Sequence, residues 1–334
     1  MKISFKVTER CMANCSCCKS RLDLYKEKIN KGNLQDVSLE LFNHVIQESS
    51  NHEEKFLSIT GGEPTILEYL AELIKNAKDN DFVVKVNTNG WDITYDKLEL
   101  LAKNGMDILF LSLYSLDKKT FAELRGSEAL YDRVFDSIKV ISQYRQKSDK
   151  ISARLQTVIM KSNFRELPAI LEFAIESNFD AFSTMYLANV PSFPHLQLSV
   201  EEIKEFKNEI MPEMIKVIKD SNMSKDTKEI AKNQIMSYFP TDEISLENYS
   251  KGIYRPSKDT RCNKRNKFVA VYPNGDVYPC YCFDYIKEPK FRDNIEGKRL
   301  RDVFSGEAFS KFWGDEFDYC KYCPDDKHVW IKLK

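Results

Sequence analysis

The chain has 334 residues, 42% of them apolar and 30% charged, and Lys+Arg 50 against Asp+Glu 51 leaves a formal charge of −1. This is enough to bury one large α/β core, alone or with an appendage, and the balanced charge argues against a general binder of nucleic acid or acidic lipid. No apolar run approaches the roughly 18 residues that span a bilayer, and the first residues lack the apolar core of a signal peptide, so a cytoplasmic protein with no membrane or nucleic-acid partner is expected.

Ile3 to Val7 reads as the first strand, and Cys11, Cys15 and Cys18 follow it in the spacing C-x3-C-x2-C. Phe42, Val45 and Ile46 share one face of a helix near 38–49. Lys55 to Thr60 is the second strand and ends in Thr60-Gly61-Gly62-Glu63-Pro64. Leu67, Leu70, Ile74 and Ala77 mark a helix over 67–79. Phe82 to Val86 is the third strand, leading into Asn87-Thr-Asn89-Gly90. Thr94 fits the N-cap of a helix carrying Leu98, Leu101 and Ala102. Asp107 to Leu113 is the fourth strand, with a helix near 130–145. Ile151 to Ile159 and Ala181 to Leu187 are the fifth and sixth, followed by helices at 164–177 and from Ser199.

Six strand–helix units predict a parallel sheet with helices outside. Right-handed crossovers curl such a sheet, and six units rather than eight predict a partial (β/α)6 TIM-like barrel over 1–190. Pro191 and Pro194 end that pattern. Residues 191–255 read as a bridging segment of long amphipathic helices, and 256–334 as a small region rich in turns such as Pro273-Asn-Gly275-Asp.

Nine cysteines occur in three groups, at 11–18, 262–282 and 320–323. An odd count without an export signal favours metal over disulfides. Three thiolates on one loop can hold three irons of a cubane and leave the fourth open. Zinc is the alternative there, with His44 or His52 as a further ligand.

The triad, followed at the second strand's end by Gly-Gly-Glu-Pro, resembles the radical SAM superfamily. The resemblance implies that Cys11, Cys15 and Cys18 bind a 4Fe-4S cluster whose open iron takes S-adenosylmethionine. By the same analogy Gly61, Gly62, Glu63 and Pro64 meet its methionyl amine, Asn89 the sulfonium and ribose region, and Ser112 the ribose or carboxylate. Arg125 is then placed to pair with the carboxylate. The glycines are expected to let the ligand approach backbone amides closely. Cys17 stands where the family usually carries an aromatic residue.

Twelve residues separate Cys262 from Gly275, followed by Cys280 and by Cys320-x2-Cys323. That spacing, with Arg292-Asp-Asn-Ile-Glu-Gly and Leu300-Arg-Asp-Val-Phe304, resembles the SPASM region or its shortened twitch form. The resemblance implies a second 4Fe-4S cluster on Cys262, Cys280, Cys320 and Cys323. A structural zinc site on the same four cysteines is the alternative. Cys282 is either a buried thiol or a hydrogen donor to a substrate radical, and Asp284 either a surface acid or a base.

What the resemblance implies is reductive cleavage of S-adenosylmethionine and hydrogen abstraction from a substrate C–H bond, with flavodoxin or ferredoxin as electron donor. Maturation of a ribosomally made peptide, by crosslinking, epimerisation or oxidation, is the leading expectation. A dehydrogenase or epimerase of a sugar or aminocyclitol is the alternative. The chain starts at its first barrel strand, which suggests a small substrate or a peptide delivered by another protein. A non-catalytic zinc protein is the competing class.

Overall fold

Alternation sets the strands. In Lys2–Thr8, Ile3, Phe5 and Val7 are 0–1% exposed, while Ser4 and Lys6 on the other side are only half-buried. The computed structural model describes residues 1–18, 30–188, 193–255, 267–280, 291–315, 320–323 and 329–334. The described strands are β1 (Lys2–Thr8), β2 (Phe56–Gly61), β3 (Val83–Thr88), β4 (Ile108–Ser112), β5 (Ser152–Ile159), β6 (Ala181–Tyr186), β7 (Phe268–Val271), β8 (Asp276–Tyr278), β9 (Asp293–Asn294) and β10 (Val329–Lys332). The described α-helices are α1 (Leu39–Glu48), α2 (Leu70–Asp79), α3 (Tyr95–Lys103), α4 (Lys118–Arg125), α5 (Glu128–Lys147), α6 (Leu167–Glu176), α7 (Val200–Glu205), α8 (Met211–Asp220), α9 (Lys225–Met236), α10 (Glu243–Ser250), α11 (Leu300–Phe304) and α12 (Glu307–Asp315).

The chain divides into two units, one of Met1–Asn14, Cys18–Phe110 and Asp259–Tyr319, the other of Cys15–Cys17, Leu111–Lys258 and Cys320–Lys334. In the first, β1 pairs in parallel with β2 and β2 with β3. Phe42, Val45 and Ile46 of α1 cover one face, the Phe42 ring lying 5.1 Å from that of Phe5. On β1's other edge β7 pairs in parallel, Ile3 opposite Val269, so an apolar strand from far along the chain closes an edge that would otherwise stand open. A hairpin then returns as β8, antiparallel to β7. Its Pro273-Asn-Gly275-Asp turn holds Gly275 at φ +79, a conformation that suits glycine.

In the second unit β5 and β6 pair in parallel. β10, not expected from the sequence, adds antiparallel to β6, Ile331 opposite Phe182. α4 was also unexpected. Asp117 caps its start by accepting from Thr120 N, and Gly126 ends it in the left-handed region. Between 199 and 255, α7 starts from a Ser199–Glu202 capping box and runs on through a π-helical turn at Phe206–Ile210 into α8 as one continuous helical stretch, and α9 has 12 residues. No helix among the described residues is long and apolar enough to cross a membrane.

Candidate functional site

β1 ends at Thr8, whose hydroxyl donates to Asp36 Oδ1 at 2.6 Å and accepts from Arg10 N at 3.0 Å. Arg10 also pairs with Asp36. This brace fixes how the chain leaves the strand before Cys11. The next loop is sewn to it by backbone bonds, Gly62 N to Thr8 O at 2.7 Å and Glu63 N to Arg10 O at 2.8 Å.

The two glycines therefore have a different immediate task from the one expected. A Cβ on Gly62 would lie 2.0 Å from Arg10 O and 3.0 Å from Cys11 Cβ, and one on Gly61 2.4 Å from Thr8 O. Gly61 also sits at φ +146. The close approach that requires glycine here is that of the cysteine loop's own backbone, and the amides of Gly62 and Glu63 are spent on it.

Glu63 is fully buried. Oε1 accepts from Thr65 N at 3.1 Å, Thr65 Oγ1 at 2.7 Å and Thr88 Oγ1 at 2.8 Å, and Oε2 accepts from Asn89 N at 2.6 Å. Burial pushes this carboxyl up from its ordinary value, and the donors from Asn89, Thr65 and Thr88 pull against that rise. Its carboxylate ties the loop after β2 to the loop after β3. Sequence reasoning missed Thr65 and Thr88, whose hydroxyls complete this knot. Pro64 is buried and opens a 3-10 turn over Pro64–Ile66.

Asn89 is 9% exposed. Its Oδ1 accepts from Trp91 N at 2.8 Å and its Nδ2 lies 3.4 Å from Cys11 Sγ. In the second unit, Ser16 N donates to Leu124 O at 2.8 Å, tying the Cys15–Cys17 stretch to the end of α4. Arg125 is buried. Its Nη1 donates to Ser112 O at 3.2 Å, and the guanidinium lies 4.8 Å from the Tyr114 ring centroid and 5.7 Å from that of Phe121. Ser112, half-buried at the end of β4, is held by that bond.

Cys11 is exposed, and Cys15, Cys17 and Cys18 are half-buried. Cys280 packs at the edge of an aromatic cluster of Tyr278, Phe291, Phe312 and Trp313. Cys320 and Cys323 form one turn, Cys323 N donating to Cys320 O at 3.0 Å. Cys262, Cys282 and Asp284 lie outside the described residues. The zinc alternative drew on two histidines. His44 Nε2 sits 2.8 Å from Lys298 O and His52 is exposed.

Among the described residues no three His, Cys, Asp or Glu side chains are gathered into a metal cage. The donor set suits a cluster nonetheless. Cys11, Cys15 and Cys18 place three soft ligands within one short loop, braced at its start, and an amide donor already points at the first sulfur.

The family description of the radical SAM superfamily matches residues 5–174, and that of an iron–sulfur cluster-binding SPASM domain matches 262–325. The chain is 23% identical over 325 residues to a tungsten-containing aldehyde ferredoxin oxidoreductase cofactor-modifying protein of Pyrococcus furiosus, covering 92% of this chain and 81% of that one. It is 22% identical over 333 residues to a PqqA peptide cyclase of Granulibacter bethesdensis, covering 99% and 81%. Streptococcus suis SuiB superposes with a TM-score of 0.67 at 18% identity, over 97% of this chain and 72% of that one. The same protein is also solved with S-adenosylmethionine and with its precursor peptide SuiA. At this identity the likeness speaks for the fold, an α/β partial barrel with a parallel sheet. The two matched domains imply 4Fe-4S clusters and S-adenosylmethionine.

Proposed function

The chain belongs to the radical SAM superfamily, and from that premise we propose that it is an enzyme that modifies a ribosomally made peptide. The carrying observation is similarity over 99% of the chain to a peptide cyclase, supported by a shared fold with a protein solved with its precursor peptide. When bound, the cluster and S-adenosylmethionine supply a 5′-deoxyadenosyl radical that removes hydrogen from a C–H bond.

The chain's residues then take these roles. Cys11, Cys15 and Cys18 hold the first cluster. Cys262, Cys280, Cys320 and Cys323 hold a second. As the resemblance implies, Gly61, Gly62, Glu63 and Pro64 meet the methionyl amine of S-adenosylmethionine, Asn89 the sulfonium and ribose region, Ser112 the ribose or carboxylate and Arg125 the carboxylate. Cys282 or Asp284 finishes the reaction by giving a hydrogen atom or taking a proton. Residues 1–190 serve as the radical core, 191–255 as the bridge and 256–334 as the auxiliary-cluster region. Flavodoxin or ferredoxin supplies the electron.

The test is anaerobic reconstitution followed by incubation with S-adenosylmethionine, dithionite and short peptides encoded beside the gene, in deuterated water. A product two mass units lighter reports crosslinking or oxidation, and one unit heavier reports epimerisation. Cleavage of the cofactor with no peptide altered would sink the peptide reading. A colourless protein without cofactor cleavage would sink the cluster assignments as well.

A further inference from the structure

Ser183 of β6 is fully buried, and its Oγ has no hydrogen-bond partner among the described residues. A buried hydroxyl left unbonded costs free energy and is rare in a folded protein. Its strand neighbours Phe182 and Thr184, with Ile331 and Val329 opposite them, face the side where α9 packs on β10. Thr184 Oγ1 lies 2.6 Å from the Tyr238 hydroxyl there. Side chains alternate along a strand, so Ser183 points to the opposite side.

Strand register fixes what shares that side. Ser183 stands opposite Gln156 of β5 and opposite Trp330 of β10. A carboxamide, a hydroxyl and an exposed indole therefore form one row across three strands. The row toward the C-terminal ends of β5 and β6 is apolar, Val158 opposite Met185. In the row toward their starts, Arg154 and Lys332 both stand opposite Ala181. Arg154 is engaged, its Nε donating to Ser152 Oγ at 3.2 Å and its guanidinium lying 5.8 Å from the Trp330 ring centroid. Gln156 Nε2 is turned to Met185 Sδ, a weak acceptor. Leu113 N donates to Gln156 O at 2.9 Å, so the row is level with the end of β4, where Ser112 stands. Ser183 lies two strand spacings, about 9.6 Å, across the sheet from β4. It is thus beside the residues assigned to S-adenosylmethionine and not among them.

We propose that Ser183 and Gln156 hold a main-chain amide of the substrate peptide, with the Trp330 ring beside them as a platform for the next peptide unit. This rests on the peptide reading, which makes the ligand an amide. A hydroxyl donates and accepts at one atom, and a carboxamide does so at two, which matches the N–H and C=O of a peptide group. The row's three side chains are neutral, so a neutral group suits it better than an anion. Val158 and Met185 make the surroundings apolar on one flank, where a hydrogen bond gains strength. Gln156 loses little by leaving a thioether for an amide.

Fluorine magnetic resonance on the full reconstituted chain tests it without turnover. The three tryptophans are replaced by 5-fluorotryptophan, and the Trp330 signal is assigned from Trp330→Phe. Acetyl-tetraglycine methylamide, which offers main-chain amides and no side chains, is titrated beside sodium acetate, ethylene glycol and S-adenosylmethionine. The glycine peptide should shift Trp330 saturably and leave Trp313, buried in the first unit's aromatic cluster, in place. No shift, an equal shift with ethylene glycol, a shift with acetate but not the peptide, or a shift with S-adenosylmethionine alone would each overturn the proposal. Ser183→Ala should weaken the peptide about ten-fold, the scale of one buried hydrogen bond. The same variant should unfold at no lower urea concentration than the wild type, because it loses an unbonded group. Unchanged peptide affinity, or unfolding at lower urea, would make the hydroxyl purely structural and overturn the proposal. Peptide modification with Trp330 unmoved sinks only this subsite, whereas cofactor cleavage with no peptide modified sinks the function it rests on.

Discussion

Asn89 sets its side-chain nitrogen 3.4 Å from the sulfur of Cys11. Its backbone amide is meanwhile pinned to buried Glu63 at 2.6 Å. The side chain therefore reaches the cysteine loop from a fixed base. An N–H directed at a cluster sulfur stabilises the more negative, reduced state and raises the potential.

Asn89→Leu keeps the bulk and removes the donor. A differential loss of about 1 kcal/mol corresponds to about 40 mV for one electron, so the first cluster should become harder to reduce by that order. A redox titration followed by electron paramagnetic resonance reads the shift. An unchanged potential would mean that this amide does not serve the cluster.

Glu63→Gln should be costly although nearly isosteric. All four partners of the carboxylate donate to it, and two are backbone amides that cannot turn away. A glutamine nitrogen must face one donor, at a cost of about 2 kcal/mol in urea unfolding. The pH dependence has a definite sign. Burial raises the folded carboxyl's pKa, so the folded state keeps its proton to higher pH than the unfolded chain. Wild-type stability from this group is greatest below the unfolded value of about 4.3 and declines as pH rises to the folded one. The wild-type advantage over Glu63→Gln should narrow between these limits. An advantage that widens with pH would contradict the raised value.

The first six strands were legible because β1, β2, β3 and β5 alternate within themselves and β4 and β6 are short strands with a buried run at their centre, and the caps Thr94 and Ser199 lie beside the helices they start. α4 was missed, although Phe121 and Leu124 share a face between Asp117 and Gly126, because it is short and only Gly126 and Ser127 separate it from the longer α5. β7 and β10 are short apolar runs in a turn-rich region. Only distant partners, β1 and β6, identify them as strands. The site divides in the same way. Cys11, Gly62 and Glu63 stood out by residue type. What Gly62 must clear was not visible, because the obstacle is Arg10 O, far back in the chain.

Gly62→Ala tests that clearance. Its Cβ would lie 2.0 Å from a backbone oxygen held by its own bond to Glu63 N. Relief requires the cysteine loop to shift, at about 1–3 kcal/mol. The variant should fold less stably and retain less iron after desalting, while Cys280 and its aromatic neighbours are untouched. Full iron retention would show that the loop moves without consequence for the first cluster.

Arg125 offers the sharpest separation of support from contact. Its guanidinium is buried, donates to Ser112 O and lies near the Tyr114 and Phe121 rings. Lysine could still reach the carbonyl, but its ammonium is more strongly hydrated than a guanidinium and cannot stack as a plane. Arg125→Lys should therefore lose about 2 kcal/mol of stability, the scale of a desolvated cation–π contact with its bond. If Arg125 acts from behind Ser112, binding of S-adenosylmethionine should weaken only as far as the strand end loosens. Arg125→Met, which packs near the rings without charge, should then bind the cofactor about as well as Arg125→Lys. If the guanidinium itself holds the cofactor's carboxylate, the methionine variant should bind far more weakly than the lysine variant, which keeps a positive charge. Calorimetric titration of the two variants, beside their unfolding curves, decides between the two arrangements.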